Sequence, residues 1–324
     1  MLFSLALIPV IIILIFIYVK DKKEKEPIGL LIGLFFAGMA TVITAIIAEL
    51  VGELIFNAIS PYDSAIKQFL LAMLIVAPAE ELGKYMVLRL ITWKNKNFNY
   101  SYDAIVYAVF VSLGFAAFEN VGYVFMNGLG TAILRMFTAV PGHAADAVLM
   151  GYFYSKAKYA SLTNNKSDYS KNIWLTILVP IIAHGLYDGI IFSSSTAENV
   201  LVTLSGILLW IVFVIVLFVL SIILIVKASK NDFCIVTYPG NVQAVYMPSF
   251  GGAWICNTCG LVNELNFCSR CGSTRPGIDA MWHCPRCGSP STYAFCGCCG
   301  LPKPGEPPMM QPQMQPQPQP PVMG

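Results

Sequence analysis

Two adjacent carboxylates, Glu80 and Glu81, stand in a run near residues 66–92 that is otherwise apolar enough to cross a bilayer, and Lys84 follows one helical turn later. A charge at the membrane centre costs roughly 2.5–3.5 kcal/mol on insertion scales, so these groups demand partners. The next three apolar runs each supply a candidate: Glu119, His143 and His184. A carboxylate in a low-dielectric cavity is a better base than one in water, and an imidazole beside it can donate to a developing oxyanion. The chemistry that this set suits is water activation for hydrolysis. Two histidines with a glutamate also make a three-ligand zinc set, although His-Glu-x-x-His is absent, so the residues leave metal dependence open.

Helical spacing sorts these residues by face. Glu80 and Lys84 stand at i, i+4 and share a face, whereas Glu81 points about 100° away. Phe115, Glu119 and Tyr123 share another face, with Asn120 beside it. Asp146 follows His143 at i+3 and Asp188 follows His184 at i+4, spacings that can orient an imidazole. Each group alone reads as a buried ion pair or an inter-helix hydrogen bond; together they read as an active site. Pro78, Pro141 and Pro180 lie two to four residues before Glu80, His143 and His184. Prolines so placed predict bent helices around a hydrated cavity.

The elements that must hold these groups are membrane helices. The chain has 324 residues, of which 56% are hydrophobic and 12% charged, with a mean hydropathy of +0.67, a composition foreign to soluble domains. An apolar run at 2–19 precedes a lysine-rich stretch, so it reads as an uncleaved span. Six more runs follow near 28–56, 66–92, 103–127, 131–155, 172–193 and 200–226, each long enough to span the hydrocarbon. Lysines crowd alternate loops (Lys20 to Lys25, Lys94 and Lys96, Lys156 to Lys171, Lys227 and Lys230), while loops 57–65, 128–130 and 194–199 have no Lys or Arg. The expected protein is therefore an all-α, seven-span protein of the cell membrane with its N-terminus outside and its C-terminal part cytoplasmic. At 1.5 Å per residue, Glu80, Glu119, His143 and His184 fall roughly 12–21 Å below the outer surface, within one layer.

The motifs Glu80-Glu81-x-x-Lys84, Phe115-x-x-x-Glu119-Asn120, Val140-Pro141-Gly142-His143-Ala144 and His184-Gly185-Leu186-Tyr187-Asp188 resemble those of the PrsW family, intramembrane proteases similar to the CAAX prenyl endopeptidases. The resemblance covers roughly 28–195. It implies cleavage of a membrane-associated protein, in the bacterial case an anti-sigma factor. It also implies catalytic roles for Glu80, Glu81, His143 and His184, supported by Lys84, Glu119, Asn120 and Asp188. Related CAAX enzymes have a histidine where this chain has Glu119, which favours PrsW over prenyl processing. The better-understood relatives use glutamate and water, so the expectation is catalysis without a metal.

Beyond Lys230 the composition changes. Residues 231–252 read as a linker with a short strand at Cys234–Tyr238. A repeat follows at an offset of 28 residues, from Trp254 to Trp282. Cys256, Cys259, Cys268 and Cys271 fall in the first copy, and Cys284, Cys287, Cys296 and Cys299 in the second. Paired Cys-x-x-Cys knuckles at this spacing predict two structural Zn2+ sites, one in each zinc ribbon at 253–277 and 281–305, in a reducing compartment. Cys234 and Cys298 fall outside the pattern and read as bystanders. The ribbons carry few basic residues, which argues against nucleic acid and for docking a cytoplasmic protein. The Pro, Gln and Met tail at 306–324 reads as disordered. The resulting organisation is a first span with its basic loop (1–27), a protease core (28–195), a last span (196–230), linker, ribbons and tail. Two other readings share the buried acids: a transporter or channel, and an inert anchor that presents the ribbons.

Overall fold

The computed structural model describes residues 2–60 and 62–235 together with four short strands beyond them. The helices are α1 (Leu2–Lys20), α2 (Ile28–Ile59), α3 (Ala65–Leu71), α4 (Ala77–Thr92), α5 (Asp103–Phe137), α6 (Ala139–Leu162), α7 (Lys166–Ser195) and α8 (Val200–Lys230), with a π-helical turn, Ala72–Val76, joining α3 to α4. Every expected apolar run carries helix. Five stretches are long and apolar enough to cross a membrane: Phe3–Lys20, Ile28–Ile59, Asp103–Leu162, Lys166–Ser195 and Val200–Lys230. The third of these contains both α5 and α6. The helix through Glu80, α4, falls outside this group: it has 16 residues and carries Glu80, Glu81, Lys84 and Arg89.

The chain divides into two units, Met1–Thr237 and Tyr238–Gly324. In the first, the apolar 18-residue segment within Asp103–Leu162 is 78% buried and the corresponding segments of the other four are 22–33% buried, so α5 and α6 form the centre. The outer helices turn residues such as Ile43, Ile47, Leu208 and Ile215 outward, as helices apolar all round do in lipid. Helix α2 packs on α5 through reciprocal glycines. A Cβ at Gly114 would lie 2.0 Å from the carbonyl oxygen of Phe35, and one at Gly38 would lie 1.9 Å from that of Val111, so only glycine permits the backbones this close.

Local sequence explains several helix starts. Ser64, Asn165 and Asn199 cap α3, α7 and α8 by accepting from the amides of Lys67, Asp168 and Leu201. Pro78 stands in the first turn of α4, directly after the π turn, in which Ala77 N–H reaches back to Ala72 O. A proline lacks the amide that would close the preceding α turn, and the helix widens there.

Two expectations about the fold need correction. The span expected at 131–155 does not begin as one new helix. Gly128, with φ 79° and ψ −160°, breaks α5, and residues 129–137 fold back so that Ala132 packs with Val124 and Ala6. Pro141 then falls in the first turn of α6 rather than mid-helix, where its missing amide costs nothing and no bend is required. Of the three prolines, only Pro180 lies inside an α-helix.

In the second unit, strands β1 (Trp254–Ile255) and β2 (Val262–Asn263) pair antiparallel, as do β3 (Trp282–His283) and β4 (Pro290–Ser291). Trp254 pairs with Asn263, and Trp282 with Ser291. The sequence repeat is thus matched by a repeat in backbone register, each hairpin enclosing the first Cys-x-x-Cys of its copy. The eight candidate zinc ligands and the tail lie outside the described residues. Of the expected strand at Cys234–Tyr238, Cys234 forms an isolated bridge with Tyr100, and Tyr238 lies outside the described residues. Cys234 is disulfide-bonded.

The reciprocal glycine contact predicts that Gly114→Val lowers stability by about 1–3 kcal/mol through overpacking. A thermal melt in detergent measures this, and Gly122→Val, at a position open to a Cβ, is the control expected to melt like the parent.

Candidate active site

Lys84 is the hub. Its side chain is 1% exposed, and Nζ donates to Glu80 Oε2 at 3.0 Å and to Glu81 Oε1 at 2.8 Å. The third contact is with His143 Nδ1, at 3.2 Å. An ammonium has three protons and no lone pair, so His143 Nδ1 is the acceptor. The imidazole then donates from Nε2 to Glu119 Oε2, 2.9 Å away, which fixes its tautomer through its partners. The Phe115 ring lies 4.0 Å from Lys84 Nζ and covers the cation.

The expectation that Glu81 points away from Lys84 is incorrect. Residues at i and i+3 are also helical neighbours, and a long lysine side chain spans both carboxylates. Glu81 Oε1 accepts from Lys84 and faces His184 Nδ1 at 2.8 Å, while Glu81 Oε2 is buried without a partner. The other nitrogen of His184, Nε2, lies 3.2 Å from Asp188 Oδ2 and 3.8 Å from Glu80 Oε2. Asp188 thus orients His184, as the i+4 spacing predicts. Asp146 does not orient His143; its Oδ2 approaches His184 Nδ1 at 4.0 Å instead.

Helices α4, α5, α6 and α7 therefore bring Glu80, Glu81, Lys84, Glu119, His143, His184 and Asp188 to one place. One donor atom from each of Glu80, Glu81, His143 and His184 lies within 4.8 Å of the others. The donor types suit a divalent metal. As arranged they do not fit one, because the Lys84 ammonium already stands within hydrogen-bond reach of three of the four.

Three contributors, Arg135, Ser112 and Glu49, are missing from the sequence reading. Arg135, carried back by the break at Gly128, donates to Glu119 Oε2 at 2.7 Å and to Asn120 Oδ1 at 2.9 Å, over the Tyr123 ring. Its signal was a lone guanidinium in an apolar run, a marker of buried function. Asn120, expected in a supporting role, donates to Ala6 O at 2.9 Å and accepts from Arg135. Ser112 holds the backbone beneath His143, donating to its carbonyl at 2.9 Å. Asp146 and the half-buried Glu49 add carboxylates, with Glu119, Asp188 and His184 among the charged neighbours of Glu49. Nothing in the spacing singled out Glu49. Six carboxyls thus face two fixed cations, Lys84 and Arg135, and buried charge on this scale requires protons shared among the acids and histidines.

The profile of a family described as PrsW family intramembrane metalloprotease matches residues 26–221. The chain is 37% identical over 213 residues to Protease PrsW of Oceanobacillus iheyensis, covering 65% of this chain and 92% of the relative. It is 31% identical over 214 residues to Protease PrsW of Clostridioides difficile, covering 64% and 87%. The protein of the same name in Bacillus subtilis is 29% identical over 196 residues, covering 60% and 84%. No solved structure matches.

Removing the hub leaves two carboxylates uncompensated, so Lys84→Met is expected to destabilise the bundle by roughly 3–5 kcal/mol. Combining it with Glu80→Gln and Glu81→Gln should recover most of that loss in a detergent melt. If the triple variant is no more stable than Lys84→Met, the ion pairs are not the origin of the effect.

Proposed function

The chain belongs to the PrsW family of intramembrane proteases, and from that premise we propose that Glu80 activates the water that cleaves a membrane-associated protein substrate. The protein is a multi-pass membrane protease; the roles of its residues are the proposal. The observation that carries it is the convergence of Glu80, Glu81, His143 and His184 within 4.8 Å. Glu80 is preferred over Glu81 because it is the more accessible, 5% against 1% exposed, and its one close hydrogen bond is to Lys84. Glu81, held by Lys84 and His184 together, is the positioning carboxylate.

In this mechanism Glu80 takes a proton from water as the oxygen attacks the scissile carbonyl. His184, whose Nε2 lies 3.8 Å from Glu80 Oε2, donates to the oxyanion that forms. His143 works through the hub: by accepting from Lys84 and donating to Glu119 it fixes the ammonium and, with it, both glutamates. Protonated Glu80 then gives its proton to the departing amine. No metal enters the reaction, because the Lys84 ammonium supplies the positive charge at this point. The substrate follows the family's pattern of membrane-associated proteins, of which an anti-sigma factor is one type. The lysine distribution supports an outside N-terminus and cytoplasmic ribbons. The two hairpins in equal register support two ribbons, each folded on a four-thiolate Zn2+ and docking or regulating through a cytoplasmic protein.

The test is cleavage of co-expressed membrane substrates by the parent and folded variants. Glu80→Gln is expected to lose about 10²–10⁴-fold in rate and His184→Ala a comparable amount, with melting temperatures near the parent. A folded Glu80→Gln that cuts at the parental rate eliminates Glu80 as the base. Metal analysis should find about two zinc ions per chain, unchanged in His184→Ala and reduced by about one in Cys256→Ser. A third zinc that disappears in His184→Ala would overturn the metal-free mechanism.

A further inference from the structure

A second group of buried acids lies away from the catalytic cluster, where the α1–α2 loop, the start of α5 and the end of α8 meet. Asp21, Glu26 and Asp103 are 0%, 2% and 0% exposed, and one carboxylate oxygen from each lies within 4.8 Å of the others. Asp232, just past α8, is an electrostatic neighbour of both Asp21 and Asp103. Two of these acids are anchored through one oxygen only. Asp103 Oδ2 accepts from the amides of Asn99 and Tyr100 at 3.0 and 2.7 Å, and Asp232 Oδ1 accepts from Ser101 Oγ and Tyr102 N at 2.8 and 2.9 Å. Glu26 Oε2 accepts from the Tyr107 hydroxyl.

The remaining oxygens are what point to a ligand. Asp103 Oδ1 and Asp232 Oδ2 are buried without a hydrogen-bond partner, as is the Tyr102 hydroxyl, and the fully buried Asp21 has only the Glu26 amide beside its carboxylate. Lys25 donates to the carbonyl oxygens of Tyr18 and Asp21 rather than to a carboxylate. Glu24 binds the Asn99 side chain, and Lys23 faces Asp232. Buried carboxylates without donors are costly, whereas a set of oxygens with no nitrogen or sulfur is the donor set of hard divalent cations.

We propose that Asp21, Glu26 and Asp103 bind a hard divalent cation, Ca2+ or Mg2+, with Asp232 contributing a further oxygen. The site joins three segments that are distant in sequence, so the cation fastens the loop after α1 to the first residue of α5 and the exit of α8. It is separate from the catalytic cluster in both residues and chemistry, and its loss leaves the glutamate–histidine mechanism untouched.

Thermal melts of the full chain in detergent at neutral pH, after chelation and dialysis, test the proposal. Adding about 1 mM Ca2+ or Mg2+ should raise the melting temperature by a few degrees. The rise should vanish in Asp21→Asn, which keeps the size of the side chain and removes its charge, and persist in Glu81→Gln and Cys256→Ser. The readout is the cation-dependent difference within each protein, so a variant of altered stability still reports. As a measurement independent of stability, Tb3+ luminescence sensitised by Tyr107 should be lost on adding excess Ca2+ and absent from Asp21→Asn. The proposal is overturned by the absence of any shift in the parent, by an equal shift in Asp21→Asn, or by loss of the shift in Glu81→Gln.

Discussion

The constraint on which the protease domain depends is that two adjacent carboxylates must lie deep in an apolar bundle. One ammonium resolves it. Lys84 has three protons and uses them on Glu80, Glu81 and His143, and the Phe115 ring shields it from the remaining direction. The arrangement then continues outward, because His143 turns its other nitrogen to Glu119 and Glu119 accepts from Arg135. Helices α4, α5 and α6 are thereby tied by one polar chain with a cation near each end. Bonds of this kind gain strength in a low-dielectric interior and are costly to leave incomplete, which gives the four polar helices a single mutual arrangement despite their featureless apolar surfaces.

Much of this was legible in the sequence, for a physical reason. In a membrane helix each ionisable residue needs a partner, so scanning the apolar runs for charges nearly enumerates the site. Glu80, Lys84, Glu119, His143 and His184 stood out in that way, and the i+4 spacing of Asp188 from His184 gave the orienting pair. Helical-wheel reasoning failed for Glu81 because it treats a side chain as a direction, whereas a lysine is long enough to reach neighbours at both i−3 and i−4. It failed for Asp146 because the partner of that acid lies on another helix. Arg135 was hidden by topology. By hydropathy it belongs to the next span, but the positive φ at Gly128 turns the chain back on itself. The acids at the loop ends were hidden for the opposite reason: Asp21 and Glu26 lie in a lysine-rich stretch whose plain reading is a solvated flank.

The C-terminal repeat illustrates the limits of spacing alone. Its cysteine pattern predicted two equivalent small folds, and the hairpins Trp254–Asn263 and Trp282–Ser291 share one register. Spacing carries information about a metal-nucleated fold because the ligands set the turns. It carries none about what such a fold docks, since that depends on surface residues which the repeat does not constrain.

The π turn at Ala72–Val76 has a geometric consequence for how the active-site helix can be read. A turn closed by i→i−5 bonds holds one residue more than an α turn, so the helical phase slips by about 100° across it. Residues of α3 that lie on one line with Glu80 by simple 3.6-residue counting are therefore rotated off that line. The side of α3 that packs against α7 and the side of α4 that presents the glutamates are set independently, and the extra residue acts as the gear between them. A single-residue deletion in this turn would leave hydropathy and length almost unchanged while swinging one half of the helix out of phase with the other.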